Sequence, residues 1–167
     1  MSGPDSPGFE PGIVFPASAV AIAGRALLIE GPPGSGKSSL ALALIDRGAV
    51  LIGDDAVTLT AAGNRLLASQ PPRIAGLIEV RGVGLVSLPT APPTPAALLL
   101  SLGGGAPERL PETPLACRMV CGIAVPVLAF DPGALAPALR AEWALRHHGL
   151  VVEPASLCAA NTPDDNA

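Results

Sequence analysis

Aromatic side chains are nearly missing from this chain: they make up 2% of its 167 residues, with no Tyr and one Trp. The core must be filled by Leu, Val, Ile and Ala instead, and platforms on which nucleobases could stack are scarce. Basic tracts are lacking as well, and the net charge is −4. The two shortages together argue against nucleic-acid binding. The three cysteines, Cys117, Cys121 and Cys158, form no C-x-x-C pair and lie far in sequence from His147 and His148. A zinc site is not expected. Cys117 and Cys121, four apart, would share a face if helical and read as small core residues, and an odd cysteine count fits reduced thiols in the cytoplasm. The longest apolar stretch, residues 13–29, is broken by Pro16, Gly24 and Arg25, and Asp5 and Glu10 precede it where a secretory leader would carry lysines. Neither a membrane span nor a signal peptide is expected.

Half of the residues are hydrophobic, which excludes disorder throughout, while 19 Gly and 20 Pro imply many turns. The length suits one domain. Residues 1–12 (MSGPDSPGFEPG) and 151–167 read as disordered tails around a domain at 13–150.

The domain is organised around Gly31-Pro32-Pro33-Gly34-Ser35-Gly36-Lys37-Ser38, a complete G-x-x-x-x-G-K-[ST] phosphate-binding loop. Residues 26–29 (ALLI) before it read as a buried strand, and residues 39–46 (SLALALID) after it as a helix that Gly48 stops. Strand, loop and helix N-terminus in that order let backbone N–H groups converge on phosphate oxygens, aided by the helix dipole. Lys37 would reach the β- and γ-phosphates, and the Ser38 hydroxyl would bind Mg²⁺. Nucleotide binding then involves Gly31 to Ser38 and the adjoining Ser39.

Residues 49–52 (AVLI) read as the next strand, ending at Gly53-Asp54-Asp55. A crossover helix places its flanking strands parallel, so Asp54-Asp55 and the P-loop leave the same sheet edge, where ligands of open α/β sheets bind. One carboxylate there can hold the metal or its water, and one can accept a proton from an attacking hydroxyl. Residues 18–23 (SAVAIA) form a hairpin with the strand feeding the P-loop, and residues 56–60 and 64–68 form another. In residues 76–86 (GLIEVRGVGLV), strand periodicity puts Ile78 and Val80 on one face and Leu77, Glu79 and Arg81 on the other. Residues 96–102 (AALLLSL) are apolar but fit helix or strand equally. Residues 103–114 read as a flexible loop, suited either to cover a site or to link elements. Residues 123–130 (IAVPVLAF) read as a last strand whose Pro126 favours an edge or bulge. A helix is expected from about residue 134 to His148, with Pro137 in its first turn and a structural His pair at its end.

GPPGSGKSSLALALIDRG, AVLIGDDAVTL and LIEVRGVGLV, in this order and spacing, resemble the C-terminal catalytic domain of HPr kinase/phosphorylase, in its short bacterial form without an N-terminal domain. The resemblance covers about residues 13–148; PERLPE at 107–112 and the VPVLAFDP region are also similar. It implies an α/β P-loop nucleotide-binding domain of the HPr kinase / phosphoenolpyruvate-carboxykinase-like type, a mixed sheet with flanking helices. It further implies a protein-serine kinase using ATP and Mg²⁺ on an HPr-like phosphocarrier of the sugar phosphotransferase system, with phosphorolysis as a second activity and a homo-oligomer as a possible assembly. By position, Lys37 would hold the β/γ-phosphates. Ser38, Glu79 and Asp54 would serve the metal, and Asp55 beside Asp54 would accept the proton.

The chain departs from that family at three places. Pro16 stands where the family carries a catalytic His, and Ser39 where an acidic residue follows the P-loop Ser. No Arg lies in residues 127–130, where a catalytic one is usual. Fewer cations and proton relays therefore surround the transferred group, which leaves open a catalytically degenerate ATP-binding regulatory module. A small-molecule kinase or NTPase sharing only the P-loop would leave the Asp-Asp and E-V-R-G-V-G spacing unexplained.

Overall fold

A computed structural model describes residues 11–74 and 76–153. The expected tails lie largely outside the described residues, as does Cys158. The elements in order are β1 (Ile13–Phe15), β2 (Ser18–Ile22), β3 (Arg25–Glu30), α1 (Lys37–Asp46), β4 (Val50–Gly53), β5 (Val57–Ala62) and β6 (Arg65–Ser69). They continue with β7 (Leu77–Val80), β8 (Gly84–Ser87), β9 (Thr94–Leu102), β10 (Cys117–Val120), β11 (Ile123–Phe130) and α2 (Pro137–His148). Nine strands form one mixed sheet, ordered β1-β5-β6-β9-β3-β2-β4, with β11 joined to β9 and β10 to β11.

The centre of the sheet explains the uninterrupted apolar runs. β3 and β9 are parallel neighbours buried on both faces, so they lack the polar alternation of a half-exposed strand. Successive side chains point to opposite faces. Leu27 and Ile29 of β3, with Leu98 and Leu100 of β9, pack with Leu40 and Leu44 of α1 and Ala141 and Leu145 of α2. Leu28 and Leu99 pack on the other face with Ile52, Leu66 and Val125. Leu and Ala dominate both layers.

α1 and α2 are joined at the surface by a bidentate pair: Arg47 Nε and Nη2 donate to the two Glu142 carboxylate oxygens at 2.8 and 3.0 Å. The hydrogen bond from Arg47 holds the Glu142 carboxyl below its ordinary range.

The strand–helix–strand unit at the P-loop forms as expected, with one insertion. β3 and β4 run parallel, but β2 lies between them and is antiparallel to both. Their C-terminal ends still share one edge, because two antiparallel steps restore the direction. Residues 57–69 form the expected hairpin.

Four elements differ from the sequence reading or settle what it left open. Residues 76–86 are two strands, not one: β7 and β8 form a separate antiparallel hairpin, closed by Val83 N–H donating to Val80 O at 2.9 Å. Gly82 at φ +78° permits that turn and moves Arg81 from the strand into its tip. Residues 94–102 are a full strand, because β3 offers a parallel edge. Cys117 lies on β10, not on a helix, and is exposed, while Cys121 is half-buried. Helix α2 begins at Pro137 instead of near 134, because Asp131 Oδ1 accepts from Gly133 N–H at 2.8 Å and holds residues 131–133 in a turn. Pro126 sits where β11 ends its pairing with β10, and residues 127–130 pair with β9.

Candidate active site

The P-loop leaves β3 at Glu30 and enters α1 at Lys37. Gly31, Gly34 and Gly36 all adopt positive φ, at +156°, +78° and +98°, which glycine tolerates and other residues resist. A Cβ at Gly31 would lie 2.6 Å from Ser35 Oγ and 3.0 Å from Leu102 O, so the loop has no room for one. Gly36 is the N-cap of α1 and supplies no side-chain oxygen, and the first turn holds no acidic residue. The N–H groups that open the helix therefore remain free for an anion. Ser35 Oγ is buried without a hydrogen-bond partner, an orphan that a phosphate oxygen would satisfy.

Lys37 is the only lysine in the chain. Its ammonium donates to Gly31 O at 2.7 Å and Pro32 O at 3.2 Å, held across the mouth of the loop by two neutral acceptors. A polyphosphate offers it stronger, charged partners.

Asp54 binds three elements together. Its Oδ1 accepts from Ser38 Oγ of α1 at 2.7 Å and from Ser18 Oγ of β2 at 2.9 Å. Its Oδ2 accepts from the Glu79 N–H of β7 at 3.2 Å. The carboxylate so fixes the P-loop serine, the end of β4 and the β7–β8 hairpin relative to one another. Asp55 departs from this network. Its N–H donates to Ser18 Oγ at 3.3 Å, and its φ is +60°. A left-handed non-glycine residue beside a ligand loop is a strain that active sites retain; here it turns consecutive carboxylates to different duties.

The resulting cleft, about 370 Å³, is lined by Pro33, Gly34, Gly36 and Ser39 of the P-loop and helix start and by Asp55, Glu79 and Arg81. Lys37 and Ser38 line it as well. The cleft walls thus bring together most of the sequence-derived site residues; Gly31, Pro32, Ser35 and Asp54 are not on them, and Asp54 joins the site through its hydrogen bond from Ser38. Arg81 joins them from the hairpin tip. Among the described residues, no three Asp, Glu, His or Cys side chains converge as a metal site.

Two participants escaped sequence reasoning. Ser18 is fully buried and reaches Asp54 only because β2 is inserted beside β4. The antiparallel pairing of Ala19 with Gly53 brings it there, and no local sequence signal marks that pairing. Arg118 of β10 pairs with Glu30, the residue before the P-loop, with Nη2 to Oε1 at 2.7 Å. Hydrogen bonding to Glu30 raises the Arg118 pKa above its ordinary value. Pro16 lies exposed in the turn before β2, outside the cleft walls.

The HPr Serine kinase C-terminal domain profile matches residues 11–91, which contain the P-loop, Asp54-Asp55 and Glu79-Arg81. Over this segment the chain is similar to the HPr serine kinases. The HPr kinase/phosphorylase of Mycoplasmopsis pulmonis is 45% identical over 69 residues, 41% of this chain and 22% of that protein. That of Clostridium tetani is 42% identical over 71 residues, 42% of this chain and 23% of that protein. The chain thus matches less than a quarter of the length of these curated relatives. The Hpr(Ser) kinase/phosphatase structure from Coxiella burnetii superposes with a TM-score of 0.69 at 28% identity, covering 81% of this chain and 90% of that one. The HPr kinase-type α/β fold, a mixed sheet with flanking helices, therefore extends well beyond the matched sequence segment. No helix among the described residues is long and apolar enough to cross a membrane.

Proposed function

We propose that this chain is an ATP- and Mg²⁺-dependent protein-serine kinase acting on an HPr-like phosphocarrier protein in the cytoplasm. The observation that carries the proposal is the division of labour at residues 54 and 55. Asp54 spends its oxygens on Ser38, Ser18 and Glu79, while Asp55 stands on the cleft wall with Lys37 and Ser38.

The fit to a nucleotide rests on the free helix N-terminus, the orphaned Ser35 hydroxyl and the single lysine. The fit to Mg²⁺ rests on hard oxygen donors at Ser38 and Glu79, with Asp54 orienting Ser38. So few protein ligands suit a metal carried largely by phosphate oxygens and water. When bound, the ion would neutralise charge on the phosphates. Lys37 would exchange its loop carbonyls for β/γ oxygens and fix the chain of phosphates. Asp55 would accept the proton of the acceptor serine as its oxygen bonds to the γ-phosphorus. The bond from that phosphorus to the β–γ bridging oxygen breaks, and ADP carries away the electron pair.

Pro16 and Ser39 favour a second reading, in which the chain binds nucleotide and acts through a partner without transferring phosphate. Incubation with γ-labelled ATP, Mg²⁺ and a purified HPr-like carrier separates the two. Label appearing on a carrier serine, located by mass spectrometry, supports the kinase. No label while ATP still binds supports the binding module. Adding orthophosphate to phosphorylated carrier tests phosphorolysis in the same assay.

A further inference from the structure

A second cleft, about 280 Å³, adjoins the P-loop, and Asp55, Glu79 and Arg81 are not among its lining residues. It shares Gly34, Gly36 and Ser39 with the first cleft, and its own walls include Leu40, Pro132 and Pro137. The contrast in chemistry is sharp. Lys37, Asp55, Glu79 and Arg81 all face the first cleft, whereas no charged residue lines the second. The volume is close to the lower end of the roughly 300–1,000 Å³ of small-molecule clefts.

The second cleft is also held in shape. Arg140 of α2 donates from Nη1 to Asp131 O at 3.0 Å, and its guanidinium lies 4.6 Å over the Phe130 ring. Asp131 Oδ1 in turn accepts from Gly133 N–H. A Cβ at Gly36 would be 3.2 Å from Pro132, so this loop closes tightly against the P-loop.

We propose that this cleft seats the nucleobase of a purine nucleotide whose phosphates occupy the P-loop. The proposal rests on the nucleotide-binding reading above and deepens it, by orienting the ligand. A terminal phosphoryl group among prolines and leucine would be a desolvated, unpaired charge. A base among four charged side chains would strip them of water for little return. The opposite orientation, with phosphoryl toward Asp55 and base toward Pro132 and Pro137, avoids both costs. Gly36 and Ser39, at the start of α1, line both clefts, and the free N–H groups of that first turn would take the intervening phosphates. The proline rings and Leu40 provide apolar faces for the base, in a chain with almost no aromatics to supply them. The only side-chain hydrogen-bonding groups on these walls are the Ser35 and Ser39 hydroxyls. Discrimination between adenine and guanine is accordingly weak, within about tenfold.

The test is equilibrium binding of ATP, GTP and inorganic tripolyphosphate to the full chain with Mg²⁺, together with photolabelling by 8-azido-ATP. ATP is expected to bind at least about tenfold more tightly than tripolyphosphate, the value of burying one side-chain-sized apolar group. The photolabel is expected within residues 132–140. The double substitution Pro132→Ala, Pro137→Ala is expected to lower ATP affinity toward that of tripolyphosphate and leave tripolyphosphate affinity unchanged; the comparison in the unsubstituted chain does not depend on how this variant folds. Equal affinity for ATP and tripolyphosphate, or photolabel in the 77–87 hairpin, overturns the base seat while leaving phosphate binding intact. Binding of neither ligand overturns the nucleotide reading, and the base seat falls with it.

Discussion

Asp55→Asn is expected to lower phosphoryl transfer to an HPr-like carrier by about 10²–10⁴-fold, the usual range for removing a general base, with ATP affinity essentially unchanged. The substitution suits this position. Asp55 sits at φ +60°, and Asn accepts the left-handed region more readily than other non-glycine residues. Size and backbone are kept, and the Asp55 N–H bond to Ser18 Oγ does not involve the side chain. The lost capacity is proton acceptance. Single-turnover kinetics with saturating ATP isolate the chemical step. An unaltered transfer rate would remove Asp55 from the mechanism.

Asp54→Ala acts differently, on the framework. It takes the acceptor from Ser18 Oγ, Ser38 Oγ and Glu79 N–H together. Ser18 is fully buried and has no route to water. Hydrogen bonds to a charged acceptor are worth about 1.5–3 kcal/mol each, and a buried donor left unsatisfied costs about 1–3 kcal/mol. These terms overlap, and a total loss of about 2–4 kcal/mol is expected. Urea denaturation measures it as a lower midpoint at unchanged slope. Ser18→Ala should cost less: it leaves Asp54 two other donors, and the acceptor it takes from the Asp55 N–H is a long bond of 3.3 Å. The double variant should cost less than the sum, because both changes cut one network. A loss below about 0.5 kcal/mol for Asp54→Ala, ordinary for an uninvolved surface position, would mean that Asp54 does not hold α1, β2 and β7 together.

What could be read along the chain was local. The P-loop, the flanking β3 and α1, the apolar run ending in Asp54-Asp55 and the hairpin at 57–69 each carry their signal within a dozen residues. What could not be read depends on distant neighbours. Residues 94–102 are a strand because β3 presents an edge to them, and their own composition fits helix equally. Arg81 occupies a turn because Gly82 and Gly84 fold β8 back on β7, whereas strand alternation alone continued straight through them. β2 inserts between β3 and β4, and with that insertion Ser18 becomes a ligand of Asp54; nothing in SAVAIA announces it. The Glu30–Arg118 pair spans 88 residues, beyond any window of periodicity. The candidate site was thus legible in its P-loop and carboxylates, and illegible in the contacts that position them.

The central claim is that Lys37 stands in a nucleotide-phosphate site. As the only lysine of the chain, it can be followed by acylation with an amine-reactive ester, with peptide mass spectrometry separating it from the terminal amine. The measurement is the acylation rate of Lys37 as ATP is titrated at fixed Mg²⁺. The account expects the rate to fall and saturate with ATP, because the ammonium would leave the Gly31 and Pro32 carbonyls for phosphate oxygens and be shielded by them. A rate that stays constant at saturating ATP, with the terminal amine serving as internal reference, would contradict it.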